Sequence, residues 1–179
     1  RAYVAFGGGI DVPVVLGSRS TDLTGGFGGH AGRVLLEGDV LSVGRSDGGR
    51  TFNAEPRPED DGITTLRVVM GPQQDHFARE VRRSFLEETY SITAASDRVG
   101  CRLKGRAIEA LGPCEIVSDG MAPGCIQVPP DGQPIVMLAD GPTTGGYPKI
   151  ATVVTTDLGR LAQLVPGEGR VRFEAIEPP

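Results

Sequence analysis

The run Ile135-Val136-Met137-Leu138-Ala139 is apolar throughout and is closed on both sides by turn-forming residues. It is too short for a core helix, so it predicts a strand covered on both faces. Before it, Val128-Pro129-Pro130-Asp131-Gly132-Gln133 has two prolines that fix φ and an Asp-Gly pair suited to a tight turn. After it, Asp140-Gly141-Pro142-Thr143-Thr144-Gly145-Gly146-Tyr147-Pro148 gathers a carboxylate, two hydroxyls, consecutive glycines and a phenol. Consecutive glycines let a backbone approach a ligand closely, and polar loops held by a rigid sheet are a common seat of function. Residues 124–150 therefore read as the wall of a pocket. An Asp-Gly-Pro turn also ends strands in β proteins without any ligand, so residue types leave both readings open.

With 27 Gly, 14 Pro and no Trp, the chain predicts many turns and short strands rather than a helical bundle. Its 179 residues suffice for one sizeable core. No long apolar run and no signal-peptide pattern is present, so a soluble protein with no membrane partner is expected. Net charge is −5 and the basic residues are scattered, which excludes the electrostatic footprint of a nucleic-acid binder. The three cysteines, Cys101, Cys114 and Cys125, match neither a zinc pattern nor a redox pair, so no metal is expected and a reduced, cytoplasmic compartment is the simplest reading. The chain starts without Met and with a strand-like segment under way, as part of a longer polypeptide would.

In order along the chain, residues 2–6 and 12–16 predict short strands joined through Gly7-Gly8-Gly9. Ser18-Arg19-Ser20-Thr21 is a polar cluster, and residues 25–33 form a glycine-rich loop. That loop lacks the Lys-Ser/Thr of a P-loop. Gly26, Gly28 and Ala31 fit a loose dinucleotide fingerprint, but no helical pattern follows, so a turn region competes with phosphate binding. Residues 33–43 alternate as a hairpin turning at Glu37-Gly38-Asp39, and residues 50–62 read as a linker. Residues 63–70 predict a strand. A helix begins at His76, with Asp75 as N-cap and Phe77, Val81 and Phe85 on one face; His76 reads as exposed or locally bonded rather than catalytic. Strands are predicted at 90–95, 107–111, 115–117, 150–154 and 170–173, and a second helix at 157–164 capped by Thr156. Asp97 and Arg98, adjacent at a strand end, offer a carboxylate and a guanidinium; a turn Asp with a structural salt bridge is the plainer alternative. This element count predicts a closed or nearly closed β-barrel plugged by helices.

A series of motifs runs through nearly the whole chain: Gly8-Gly9-Ile10, Val15-Leu16-Gly17-Ser18-Arg19-Ser20-Thr21, Gly71-Pro72-Gln73 with Asp75-His76-Phe77, Ser96-Asp97-Arg98-Val99-Gly100, Ile126-Gln127-Val128-Pro129, Gly132-Gln133-Pro134 and Thr143-Thr144-Gly145-Gly146-Tyr147-Pro148. The series, in this order, resembles the allophanate hydrolase subunit 2 family. That family is the C-terminal half of the carboxyltransferase domain and includes the 5-oxoprolinase C subunit. The resemblance implies a mainly β fold of cyclophilin-like barrels in tandem. Residues 1–49 would be the end of a first, incomplete barrel, 50–62 a linker and 63–179 a second barrel. Gly141-Pro142 departs from the family, which commonly carries Gln between the Asp and the Thr-Thr-Gly-Gly-Tyr-Pro block.

The resemblance further implies a subunit, inactive alone, of an ATP-dependent complex that opens a cyclic or ureido amide together with a subunit 1 partner. In that reading Gln127, Thr143 and Thr144 orient a small amide substrate beside Gly145, Gly146 and Tyr147. Arg98 stabilises charge, and Asp97 and Asp140 supply carboxylate or hydrogen-bonding roles. Two alternatives come with the family. One is half of a biotin-dependent carboxyltransferase, with biotin carried elsewhere because Met70, Met121 and Met137 have no neighbouring Lys. The other is a regulatory module that antagonises a kinase inhibitor.

Overall fold

The computed structural model describes residues 4–46, 48 and 62–177. Residues 4–46 and 48 fall in one compact unit and residues 62–177 in another. The predicted linker lies outside the described residues except for Gly62, as do the first two residues of the predicted strand at 2–6.

The first unit is built from turns. Among the described residues its one ladder pairs β1 (Thr21–Asp22) with β2 (Phe27–Gly28), antiparallel. The strand expected at 12–16 does not form, and residues 15–18 make a tight turn. Val15 and Ser18 exchange backbone hydrogen bonds of 2.8 and 3.0 Å, with Leu16 and Gly17 both at positive φ, the geometry of two-residue hairpin turns. The hairpin expected at 33–43 turns where predicted but forms no ladder. The Asp39 carboxylate accepts from both terminal nitrogens of Arg33 at 2.7 and 2.8 Å and from the Leu36 amide at 2.7 Å. Side-chain bonds therefore close that loop and leave Val34, Leu35, Leu36 and Val40 exposed.

The second unit follows the order β3 (Thr64–Met70), a 3₁₀ turn (Gln74–His76), α1 (Arg79–Glu87), β4 (Thr89–Ile92), β5 (Gly100–Lys104), β6 (Asp119–Gly120), β7 (Cys125–Gln127), β8 (Ile135–Met137), β9 (Thr144–Gly145), β10 (Lys149–Val153), α2 (Thr155–Gln163) and β11 (Arg170–Ala175). Seven strands close into a barrel in the order β10-β3-β11-β4-β5-β8-β7, while β6 and β9 form a separate two-stranded ribbon. Every barrel pair is antiparallel except β3 with β11. Alternate β3 residues Leu66 and Val68, with Ile126, Val136, Ile150, Val171 and Phe173, fill the interior. Helix α1 sends Phe85 into it, stacked on Phe173 at a ring-centroid distance of 4.8 Å, with Tyr90 5.7 Å from Phe173. Helix α2 contributes Leu161. This is the predicted barrel with two helices.

Several local expectations are corrected. Helix α1 starts at Arg79 rather than His76. Phe77 is extended, bridges Ala110 and is buried there, so it belongs to the core but not to the helix. Asp75 is exposed and caps no helix, and no side chain caps α2 either; Thr156 instead accepts from Arg67 at 3.1 Å. Residues 107–111 and 115–117 are not strands. Their backbones are tied singly, Ile108 to Gly132, Leu111 to His76 and Ile116 to Gly146. Among the described residues no helix is long and apolar enough to cross a membrane.

Candidate functional site

The polar residues singled out from the sequence fall on two sides of strand β8. At its end, Gly100 pairs with Met137, and the chain on either side supplies Asp97, Arg98 and Asp140. Asp97 folds back on its own turn: Oδ1 accepts from the Val99 and Gly100 amides at 2.8 and 3.0 Å. Arg98 Nε lies 2.7 Å from Asp140 Oδ2, and the Asp140 amide donates to the Arg98 carbonyl at 3.2 Å. Both side chains are exposed, so the pair contributes less than about 1 kcal/mol to stability. The residues are a turn Asp beside a salt bridge, and the guanidinium and carboxylate remain open to solvent.

At the start of β8, Gln127 pairs with Ile135 on one side and with Lys149 on the other. Over Gln127 runs the Thr143-Thr144-Gly145-Gly146-Tyr147 arm. Thr144 pairs with Gly120 and Gly145 with Asp119 in the β6–β9 ribbon, and the Met121 and Ile116 amides donate to the Thr143 and Gly146 carbonyls, each at 2.8 Å. A Cβ on Gly145 would fall on the Met121 methyl and reach within 3.4 Å of Gln127 Oε1, so this backbone lies close above the Gln127 amide. Thr143 and Thr144 are exposed and Tyr147 is half-buried. The structure thus brings Gln127 and the arm together, and places Asp97, Arg98 and Asp140 past the other end of β8.

The arm is anchored by Lys149 and Asp119, which belong to none of the motifs above, together with Gln73 of the Gly71-Pro72-Gln73 motif. Lys149 is 3% exposed, yet its Nζ lies 2.7 Å from Asp119 Oδ2. The same oxygen accepts from Gln73 Nε2 at 3.1 Å, while Gln73 Oε1 accepts from the Lys149 amide at 3.2 Å. Lys149, the Gly120 amide and Gln73 together pull the Asp119 carboxyl down to about 2. One signal for Lys149 is present in the chain: a lysine standing at the head of the apolar run Ile150-Ala151-Thr152-Val153. A lysine there must either snorkel out or find a carboxylate.

The glycine-rich loop of the first unit is a turn region. The Gly25 amide donates to Asp22 Oδ1 at 2.8 Å, the Gly26 amide to the Asp22 carbonyl and the Gly32 amide to the Gly28 carbonyl, each at 2.9 Å. These three amides are spent internally, and one of them on a carboxylate. Beside this loop lies a cleft of about 430 Å³ lined by Ile10, Val12, Arg19, Thr21, His30 and Leu35, among others. Among the described residues no group of three or more His, Cys, Asp or Glu is placed to hold a metal ion.

A seven-stranded barrel with two helices and a polar arm laid against its wall is the architecture of a known domain class. The family model for the carboxyltransferase domain, subdomains A and B, matches residues 1–175, and the chain belongs to that family. It is 40% identical over 174 residues to the 5-oxoprolinase C subunit of Escherichia coli (strain K12), covering 94% of this chain and 54% of that one. It is 38% identical over 175 residues to the 5-oxoprolinase C subunit of Haemophilus influenzae, covering 97% and 55%. The chain therefore spans about half the length of these curated relatives. Among solved structures it is similar to the K. lactis urea amidolyase, with a TM-score of 0.81 at 29% identity over 95% of this chain and 12% of that one.

Proposed function

We propose that this chain is part of a subunit of a 5-oxoprolinase-type complex, which opens a cyclic amide at the expense of ATP together with a subunit 1 partner. The observation that carries the reading is the 40% and 38% identity to the 5-oxoprolinase C subunit across almost all of this chain. Opening 5-oxoproline breaks the ring C–N bond, adds hydroxyl to the carbonyl carbon and a proton to the nitrogen, and gives glutamate. An amide carbonyl is a poor electrophile, so the site must hold it and polarise its oxygen.

In this proposal the Gln127 amide and the Thr143 and Thr144 hydroxyls orient the substrate, Gly145 and Gly146 let the backbone approach it, and Tyr147 lines the wall. Arg98 takes the substrate carboxylate or developing charge by exchanging its Asp140 partner. Asp97 keeps the loop in shape through its two amide bonds. Because Arg98 lies past the far end of β8 from Gln127, the arm between Asp140 and Tyr147 is what connects the two groups. Three amides of the glycine-rich loop, those of Gly25, Gly26 and Gly32, are already bonded to Asp22 and to the loop itself, which argues against a triphosphate there. In the same reading residues 4–46 belong to the end of a first barrel. Val4, Phe6, Leu16, Leu23 and Val40 stand exposed there, apolar surface that a fuller barrel would cover.

The test is alanine at Asp97, Arg98 and Asp140 in the full-length subunit, assayed in the reconstituted complex. A loss of 5-oxoproline-dependent ATP turnover by ten-fold or more, about 1.4 kcal/mol, is expected; a full rate in the triple variant overturns the assignment. A second reading, half of a biotin-dependent carboxyltransferase, is favoured by the likeness to urea amidolyase. Carboxyl transfer from carboxybiotin, without 5-oxoproline turnover, would establish it.

A further inference from the structure

Lys149 is placed where stability alone gives little reason for a charge. Its side chain is buried at the first position of β10, whose next two residues, Ile150 and Ala151, are fully buried. Withdrawing an ammonium from water is costly, and a buried ion pair exchanged for apolar side chains of similar volume is often neutral or stabilising. The partner of this lysine is not in the barrel but in the ribbon. Asp119 sits directly across from Gly145, one register step from the Thr144–Gly120 pair. Gln73 completes the arrangement from a third direction, bonding both the Asp119 carboxylate and the Lys149 amide. Its turn is pressed against β10, for the Gly71 amide donates to the Ile150 carbonyl at 2.8 Å.

We propose that Lys149, Asp119 and Gln73 form a positioning clamp that fixes the height of the Thr143-Thr144-Gly145-Gly146-Tyr147 arm above Gln127, and so sets the geometry in which a small amide substrate is held. The ribbon itself is short: its ladder spans two residue pairs, and two further backbone bonds, Met121 to Thr143 and Ile116 to Gly146, extend it. A two-stranded ribbon of this length is not stable alone in water. The ion pair to Lys149, with the Gln73 bond to the same carboxylate, ties it to the barrel wall. The residues are positioning residues, acting through the arm rather than on the reacting atoms.

The clamp makes an asymmetric prediction. Lys149→Met fills the lysine's volume without charge and leaves Asp119, which is half exposed, to water. Asp119→Asn leaves an ammonium buried without a counter-charge. The first variant is expected to melt near the wild-type temperature and the second well below it.

The proposal rests on the substrate-site reading above, and its test separates the two. In the complex with the full-length subunit, hydrogen exchange is followed at the Met121 and Ile116 amides, with the Val68 and Val153 amides of the barrel as reference. Lys149→Met is expected to speed exchange at Met121 and Ile116 by ten-fold or more while the barrel amides stay unchanged. The KM for 5-oxoproline is expected to rise more than kcat falls, and Lys149→Arg to restore part of both. Unchanged exchange at Met121 and Ile116, or faster exchange with unaltered KM, overturns the clamp. A wild-type complex without 5-oxoproline turnover overturns the substrate reading, while the exchange data still decide whether the clamp holds the arm.

Discussion

Asp157 shows how one side chain can tie a helix to a sheet. It stands in the first turn of α2, is 3% exposed, and accepts from the Arg67 amide at 2.9 Å, from Nε at 3.0 Å and from Nη2 at 2.7 Å. Its hydrogen bonds from Arg67 hold the carboxyl below the ordinary value of 3.8. A carboxyl with a depressed folded pKa contributes stability that is present above its unfolded pKa and is lost as pH falls through the folded value. Asp157→Asn is therefore expected to cost about 1–3 kcal/mol near neutrality, read by urea denaturation. The deficit against wild type should shrink below pH 4 as the wild-type carboxyl itself becomes protonated. Asp119 follows the same sign: with its carboxyl down at about 2, the charge on the ribbon and its tie to Lys149 persist until pH falls through about 2, while the stability they contribute is lost between about 4 and 2. Neither pair is visible locally, since Arg67 and Asp157 are 90 residues apart in the chain.

Elements carry the next set of consequences. Gly71, at the end of β3, donates to the Ile150 carbonyl, and a Cβ there would fall on the Lys149 carbonyl oxygen. Gly71→Ala must push the head of β10 away from β3, and is expected to lower the melting temperature and loosen the amides around Lys149, measured by thermal unfolding and hydrogen exchange. Phe85→Ala, at 1% exposure against Phe173, is expected to cost about 3–5 kcal/mol, read from the denaturation midpoint. Strands β3, β4 and β11 and helix α2 are legible in the sequence because their apolar residues recur at the period of the element they form, and β10 because it is a short, largely apolar run. Residues 107–111 and 33–43 carry similar local alternation but no ladder. The first meets Phe77 at a single bridge, and the second is closed by Arg33 and Asp39 before strands can pair. The start of α1 is not legible, because Phe77 has helical spacing to Val81 and Phe85 yet is held extended by its bridge to Ala110.

For the molecule as a whole, the closed barrel follows from many short strands, whereas the order of strands around it does not. The one parallel pair joins β3 to β11, the first and last barrel strands of the unit, and no local signal specifies such a contact. The candidate site is legible to the same extent. Motif content marks Gln127 and the Thr-Thr-Gly-Gly-Tyr arm, and the structure stacks them. The burial of Lys149 and its tie to the ribbon, by contrast, exist only once the barrel has closed. Whether this family member serves a 5-oxoprolinase-type reaction is decided by ATP turnover, with and without 5-oxoproline. The full-length protein is purified together with its subunit 1 partner and supplied with whatever else the complex requires. ATP hydrolysis coupled to glutamate formation, requiring both 5-oxoproline and this protein, is the expected result. ATP hydrolysis indifferent to 5-oxoproline, or to the removal of this protein, would contradict the proposed function.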